Sequence, residues 1–285
     1  MNISIGGNNF FQVGSQTLQY PMSTSGSIGL SGYASQSAPT KQQYAGLNES
    51  LGLSYSHMFE AEYASVMKRA ITKDLLVKGT LANTPRFDRA PTATTPNDQN
   101  LFPNARTATG NLTNIASQLH MILRLIYAPS ALGMQRQIFF SSSGWDTHDN
   151  QLVDHANLLK SLSDAVHDFY RATATLGVSN HVTLFTASDF SRTFSSNAKG
   201  SDHAWGGHHF VVGGDVVGGR IYGRMPILQS GGPDDTGSRG SWIPTTSTDE
   251  YAATMARWFG VSDANMPLAL PNITRFANPN LGFLV

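Results

Sequence analysis

Apolar residues recur every three or four positions in several stretches, the spacing that places side chains on one face of an α-helix. The first such stretch covers residues 54–81. A second begins with Thr109 or Asn111 as the N-cap residue and is ended by Pro129. Both stretches predict helices in the first half of the chain.

The second half carries two more helical patterns with clear end signals. Residues 150–176 repeat leucine and aromatic positions at helical spacing, and Gly177 supplies a C-terminal cap. A last helix starts at a capping box made by Ser247 and Glu250 and stops at Gly260. These signals predict a long helix and a shorter one near the end of the chain.

Short apolar runs at residues 137–142 and 181–187 flank the long helix and predict two strands buried on both faces. Strand, helix and strand in this order form a βαβ unit, whose strands are parallel. The ends of the two strands then open on one edge of the sheet. Residues 145–148 and 188–192 are therefore expected to be neighbours.

The remaining pattern is weaker. The first 45 residues show no sustained period and predict irregular structure with one or two short strands, whereas residues 209–212 and 220–223 predict an antiparallel extension. Residues 82–108 contain four prolines and predict an irregular segment, either a linker or a segment that wraps a domain. We expect a single α/β domain over residues 1–285.

Composition narrows the functional classes. The 285 residues include 19 basic and 19 acidic side chains, so no net charge attracts the chain to nucleic acid. Charged residues make up only 13%, as is common outside the cytoplasm, and the absence of cysteine excludes disulfides and a cysteine nucleophile. No apolar run is long enough to span a membrane, and the N-terminal residues contain no signal-peptide pattern.

Candidate chemistry is concentrated between residues 141 and 210. Asp146 and His148 follow the first predicted strand, and their side chains project to the same side if the strand direction persists. Imidazole and carboxylate are ordinary ligands of zinc, manganese or iron. Asp189 follows the second strand, and the same loop adds Asp202, His203 and the adjacent pair His208 and His209.

Each of these residues also has a purely structural interpretation. Asp146 could cap the following helix, and Asp189 could pair with Arg192. Arg192 could instead hold an anionic substrate oxygen through its forked donors. His203 is the preferred histidine ligand, with His209 or its neighbour behind it, because adjacent strand residues face opposite ways.

Five blocks of the sequence, in order, resemble the DUF1501 family of bacterial proteins, which is grouped with the alkaline phosphatase and sulfatase-like superfamily. They read GWDTHDNQ, FTASDFSRTF, GSDHAWGGHHFVVGG, GGRIYG and RGSWIPTTSTDEYAATMARWFGV. The resemblance extends from about Thr109 to Leu281, and NISIGGNNFFQVG near the start is also similar to a family segment.

The resemblance implies a three-layer fold, with helices on both faces of a mostly parallel sheet and a small antiparallel extension. It also implies a metal centre at the carboxyl edge of the strands. By this similarity Asp146 and His148 would bind one ion, Asp189 a second, and His203 or His209 would complete the set. The expected cofactors are divalent ions such as zinc, manganese or calcium.

Two departures from the family pattern matter. Superfamily enzymes place Asp-His after the second strand, where this chain has Asp189 and Phe190, and Ser191 stands where relatives usually have glycine. Family members also begin with an export signal, a strand and a Gly-Gly-X-Asp motif. Their absence predicts that the chain is incomplete at its N-terminus, and the full-length pattern implies a periplasmic or extracellular location.

Three functions follow as hypotheses. The first is a metal-dependent hydrolase of small phosphate or sulfate esters, with an unidentified nucleophile. The second is a non-catalytic binding or assembly protein that keeps the fold and at most one structural metal. The third is a carbohydrate binder that uses Trp145, Trp205 and Trp242.

Overall fold

The computed structural model describes residues 2–9, 12–14, 19–33, 37–128 and 130–285. Phe10 and Phe11, which belong to a family-like segment, and Pro129, which was expected to end a helix, lie outside the described residues. The chain divides into two compact units, Met1–Ser143 and Gly144–Val285, which are described separately. The expectation of a single domain stays a prediction.

The first unit contains a mixed four-stranded sheet. Its strands are β1 (Asn2–Ser4), β2 (Gln19–Ser23), β3 (Gly26–Ser27) and β4 (Phe139–Phe140), in the order β3-β2-β1-β4. β1 is parallel to β2 and β4, whereas β3 is antiparallel to β2. The short strands predicted early in the chain are confirmed, but β4 is shorter and less buried than its apolar sequence predicts.

The described residues of this unit also form three α-helices: α1 (Ala38–Gly52), α2 (Met58–Ala82) and α3 (Asn114–Tyr127). The sequence missed α1 because its polar residues show no helical period. α3 begins after Thr113, later than predicted, because a turn occupies the preceding residues: Thr107 N donates to Asn111 O, and Gly110 has a positive φ of 82°.

Residues 83–113 connect α2 to α3 without a helix or a regular strand, as predicted for the proline-rich segment. The segment nevertheless contributes to the core, since Phe87 and Phe102 are completely buried. His120 of α3 is also buried and accepts a hydrogen bond from Phe87 N at 3.2 Å. The segment therefore wraps its unit, which is one of the two alternatives predicted for it.

The second unit contains three helices and four short strands. These are α4 (Gln151–Thr175), β5 (Thr183–Phe185), β6 (Ser191–Ser196), β7 (Ser201–Ala204), β8 (Val211–Gly213), α5 (Thr248–Phe259) and α6 (Met266–Ala269). α4 and α5 agree with the predictions, including the glycines after them: Gly177 has φ of 71° and Gly260 has φ of 105°.

The strands of this unit correct two predictions. β5 pairs with β8 in an antiparallel way, whereas β4 pairs with β1, so the two strands expected to share a βαβ sheet are assigned to separate sheets. Residues 220–223 form no strand, and β6 and β7 form an antiparallel hairpin where a loop was expected. The mixed α/β class is confirmed.

Across the part of the chain that the structure describes, none of the helices has the length and apolar character needed to cross a membrane.

Candidate metal centre

The β6–β7 hairpin positions two of the candidate residues. Arg192 on β6 is paired directly with His203 on β7. Directly opposite residues of an antiparallel pair project from the same face of the sheet. The hairpin therefore presents a guanidinium and an imidazole side by side.

The loop before α4 brings Asp146 and His148 to this face of the hairpin. Asn197 Nδ2 donates to His148 O at 3.3 Å, and Lys199 O accepts from Gln151 N at 3.2 Å. Gly200 permits this approach, because a Cβ added there would lie 2.6 Å from His148 O. The loop and the hairpin turn are thus packed backbone against backbone.

Asp146, His148 and His203 form a nearly equilateral triangle of ligand atoms. Asp146 Oδ1 lies 2.9 Å from His148 Nε2 and 3.0 Å from His203 Nε2, and the two nitrogens are 3.1 Å apart. The three side chains are about half exposed, at 56, 46 and 49% of their maximal area. Among the described residues this is the group of histidine and acidic side chains that could surround one cation.

Hydrogen bonds alone do not satisfy this triangle. A carboxylate oxygen only accepts, and a neutral imidazole nitrogen either donates or accepts. If both Nε2 atoms donate to Asp146 Oδ1, the 3.1 Å contact between the two nitrogens is not a hydrogen bond. If one Nε2 is unprotonated and accepts from the other, its own contact with Asp146 Oδ1 joins two acceptors. A cation between the three atoms would satisfy all three lone pairs.

The spacing also fits a cation. Ligand atoms about 2.1 Å from an octahedral metal ion are about 3.0 Å apart, and those of tetrahedral zinc are about 3.3 Å apart. The observed separations of 2.9 to 3.1 Å are closest to one face of an octahedron. Two imidazoles and one carboxylate on one face are a known ligand set for divalent iron and related ions.

Arg192 holds the carboxylate of the triangle in place. Its Nη2 donates to Asp146 Oδ1 at 2.5 Å and to Trp145 O at 3.3 Å, and its Nη1 donates to Ser201 O at 2.9 Å. Hydrogen bonds from His203 and Arg192 lower the pKa of Asp146 below its ordinary value. Asp146 is therefore ionised at neutral pH, as a metal ligand must be.

A second carboxylate lies behind His148. Asp202 Oδ1 is 3.8 Å from His148 Nδ1, and Asp202 accepts hydrogen bonds from Asn197 Nδ2 at 3.0 Å and Arg239 Nη1 at 2.5 Å. These bonds lower the pKa of Asp202, first through Asn197 and then through Arg239. A carboxylate behind a ligand histidine is a common way to orient its ring.

A protein-family model matches the part of the chain that contains these residues. The model is described as "Protein of unknown function (DUF1501)". Residues 130–239 match the DUF1501 model. The predicted resemblance is thus confirmed over about two fifths of the chain. No curated protein and no solved structure matches the chain.

The DUF1501 segment contains the whole candidate centre. Asp146, His148 and His203 lie inside it, and Arg239 is its last matched residue. Local contacts between the α4 loop, the hairpin and the loop carrying Arg239 thus all form within the matched residues.

Two predicted ligands lie apart from the triangle. Asp189 is exposed in a bend before β6 and is not part of the three-residue group. His209 stacks on Tyr251, with ring centroids 5.8 Å apart, and desolvation followed by repulsion from His208 lowers its pKa. The structure brings neither into the group, and their roles as ligands stay predictions.

Sequence reasoning missed the residues that support the centre, chiefly Asn197, Gly200 and Arg239. Asn197 and Gly200 bound the four-residue turn of the hairpin, and asparagine and glycine in a short spacer are a turn signal. No local signal connects Arg239 to Asp202, because the two residues are 37 positions apart.

One of the three tryptophans proposed to bind a carbohydrate is buried. Trp242 is 92% buried, and Gly206 N donates to its carbonyl at 2.8 Å, whereas Trp205 is well exposed. A buried tryptophan offers no stacking surface to a sugar.

Proposed function

We propose that the protein is a divalent-cation-dependent hydrolase of phosphate or sulfate esters, with Asp146, His148 and His203 as the metal ligands. The convergence of one carboxylate oxygen and two imidazole nitrogens within 3.1 Å of one another supports it most. The resemblance to the alkaline phosphatase and sulfatase-like superfamily, with its three layers around a mostly parallel sheet, is part of this proposal.

The ligand set selects among the expected ions. Zinc and manganese accept imidazole nitrogen together with carboxylate oxygen, whereas calcium takes oxygen ligands. We therefore favour zinc or manganese over calcium. Such an ion would polarise an ester oxygen and lower the pKa of a bound water.

The protein's own residues would then hold and orient this centre. Arg192 keeps Asp146 ionised and fixed, and Asp202 lies behind His148. Arg192 uses three of its five N–H donors on protein acceptors, so Nε–H and one Nη1–H are left for its proposed contact with an anionic substrate. A small anionic ester remains the proposed substrate class, in a periplasmic or extracellular setting by the family pattern.

Metal binding and ester hydrolysis can be tested together. Chelator-free protein should contain a divalent ion on elemental analysis, and zinc or manganese should support turnover of an aryl phosphate or aryl sulfate. The His203→Ala variant should lose both properties. His167→Ala is the matched control, since His167 is an exposed histidine of α4 outside the triangle. Absence of bound metal, together with an unchanged melting temperature on metal addition, would reject the proposal.

A second candidate is a non-catalytic binding protein that retains one structural metal. The half-exposed triangle favours it, because catalytic sites usually enclose their substrate. Metal binding without turnover of either ester, in wild-type protein loaded with zinc or manganese, would support this candidate over the hydrolase.

A further inference from the structure

Phe190 lies directly against one corner of the triangle. Its ring is stacked on the His203 imidazole, with centroids 3.8 Å apart and planes 12° apart. The Arg192 guanidinium carbon lies over the same phenyl ring, 5.1 Å from its centroid. Phe190 therefore contacts both the ligand His203 and the residue that anchors Asp146.

Stacking of this kind restricts rotation of the imidazole. The terminal torsion of histidine is broad, so an unsupported ring turns freely and can exchange the positions of Nδ1 and Nε2. His203 is about half exposed, and its Nε2 contacts Asp146 Oδ1 and His148 Nε2, the other members of the triangle. The parallel phenyl ring fixes the plane in which His203 Nε2 points at the other two ligand atoms.

The same ring limits how many cations the site can hold. A phenyl group has no lone pair for a metal, and it occupies the space against the imidazole that a further ligand would need. Within the described ranges, one group of three ligand side chains converges, and Asp189 is not part of it. The described residues therefore arrange ligand atoms for one ion and contain no second three-residue group.

We infer that Phe190 is a positioning residue that orients His203 for a site containing a single cation. The inference rests on the metal binding in the proposed function and is independent of ester hydrolysis. It assigns Phe190 a role through His203 and not through contact with substrate.

Cobalt binding provides the test, because Co²⁺ titration gives affinity and stoichiometry while its visible absorption reports the coordination environment. Three variants are compared with the wild type. Phe190→Leu keeps an apolar side chain but removes the ring, and Phe190→Tyr restores the ring. Phe194→Leu is the matched control, because Phe194 lies on β6, four residues after Phe190, and contacts Trp242, 5.8 Å away between centroids.

We expect one Co²⁺ per wild-type chain. Loss of an orienting neighbour typically weakens metal binding by about 10- to 100-fold, so Phe190→Leu should bind at least about tenfold more weakly with an altered visible spectrum. Phe190→Tyr and Phe194→Leu should match the wild type. In metal-free protein, the His203 ring protons should resonate upfield in the wild type and lose this shift in Phe190→Leu.

Equal Co²⁺ affinity of Phe190→Leu and the wild type would overturn the inference, as would two ions per wild-type chain or failure of Phe190→Tyr to restore binding. A wild type that binds no cation would overturn both the inference and the proposed function. One ion bound in the predicted manner, without ester turnover, would reject hydrolysis alone.

Discussion

At the residue scale, the Asp146 carboxylate is the group on which the other side chains of the candidate centre converge. One of its oxygens lies within 3.0 Å of both ligand nitrogens and also accepts from Arg192. Three groups converging on a single oxygen make the position of this carboxylate well determined. Its neighbours in sequence explain little of this, since two of the three groups come from the β6–β7 hairpin.

Because His120 is buried, we predict that the stability of the first unit depends on pH. Burial lowers its pKa to about 4, against 6.5 for an ordinary histidine. The folded state therefore favours the neutral ring, so this stabilisation is complete above pH 6.5 and is lost as pH falls toward 4. Between pH 7.5 and 5 the loss should be about 2 kcal/mol.

Amide hydrogen exchange of peptides from α3, corrected for intrinsic rates, measures this effect. The His120→Gln variant should show a weaker dependence on pH than the wild type. His167→Gln, at an exposed site of α4, should retain the wild-type dependence of α3. Identical pH profiles of His120→Gln and the wild type would contradict the assignment.

The close packing at Gly200 leads to a prediction about the contact between the hairpin turn and the loop that carries Asp146 and His148. A Cβ at this position would lie 2.6 Å from His148 O and 2.8 Å from Thr147 O, both of them backbone atoms. Gly200→Ala should therefore displace the turn, at a cost of about 1–3 kcal/mol, and weaken manganese binding.

Gly144→Ala is the matched control, because a Cβ there has no neighbour within 4 Å among the described residues. Calorimetric titration with Mn²⁺ and urea unfolding compare the two variants. If Gly200→Ala binds Mn²⁺ as tightly as Gly144→Ala does, the close packing is not needed for the centre.

At the element scale, helix ends were read from sequence more reliably than short strands. The capping box of α5 is present as predicted: Ser247 Oγ accepts from Glu250 N at 3.0 Å, and Glu250 Oε2 accepts from Ser247 N at 2.9 Å. Its residues are three positions apart, so the local sequence contains the whole interaction. The hairpin strands β6 and β7 have polar sequences, and their pairing is visible only in three dimensions.

Ser247→Ala should destabilise the second unit by about 1 kcal/mol, because the alanine side chain cannot accept from Glu250 N. Urea unfolding followed by tryptophan fluorescence, to which Trp258 of α5 contributes, measures the loss. Ser262→Ala changes an exposed loop serine and should have no effect. A Ser247→Ala midpoint equal to that of Ser262→Ala would show that the cap is dispensable.

At the scale of the whole molecule, the proposed centre and all four tryptophans lie in the same compact unit, 144–285. Tryptophan fluorescence therefore reports on the unit that contains the ligands. A ligand that binds only the folded state stabilises it by about 2.7 kcal/mol at 100 times its dissociation constant. Manganese should raise the melting temperature seen by tryptophan fluorescence.

The same measurement on His203→Ala should show no rise, because one of the three ligands is missing. His209→Ala tests the other predicted histidine ligand. A manganese response that survives in His203→Ala but disappears in His209→Ala would assign the role to His209 instead.

Local sequence by itself determined the presence of α2, α4 and α5, the glycines that follow α4 and α5, the capping box of α5, the irregular proline-rich segment, and the residues of the candidate centre. These features depend on interactions within one or two turns or on side-chain chemistry. Tertiary structure decided which of the candidates meet: Asp146, His148 and His203 converge, whereas Asp189 and His209 stay apart. The physical reason is that cross-strand register pairs Arg192 with His203, and backbone packing at Gly200 seats the α4 loop on the hairpin. Neither contact has a signal in local sequence.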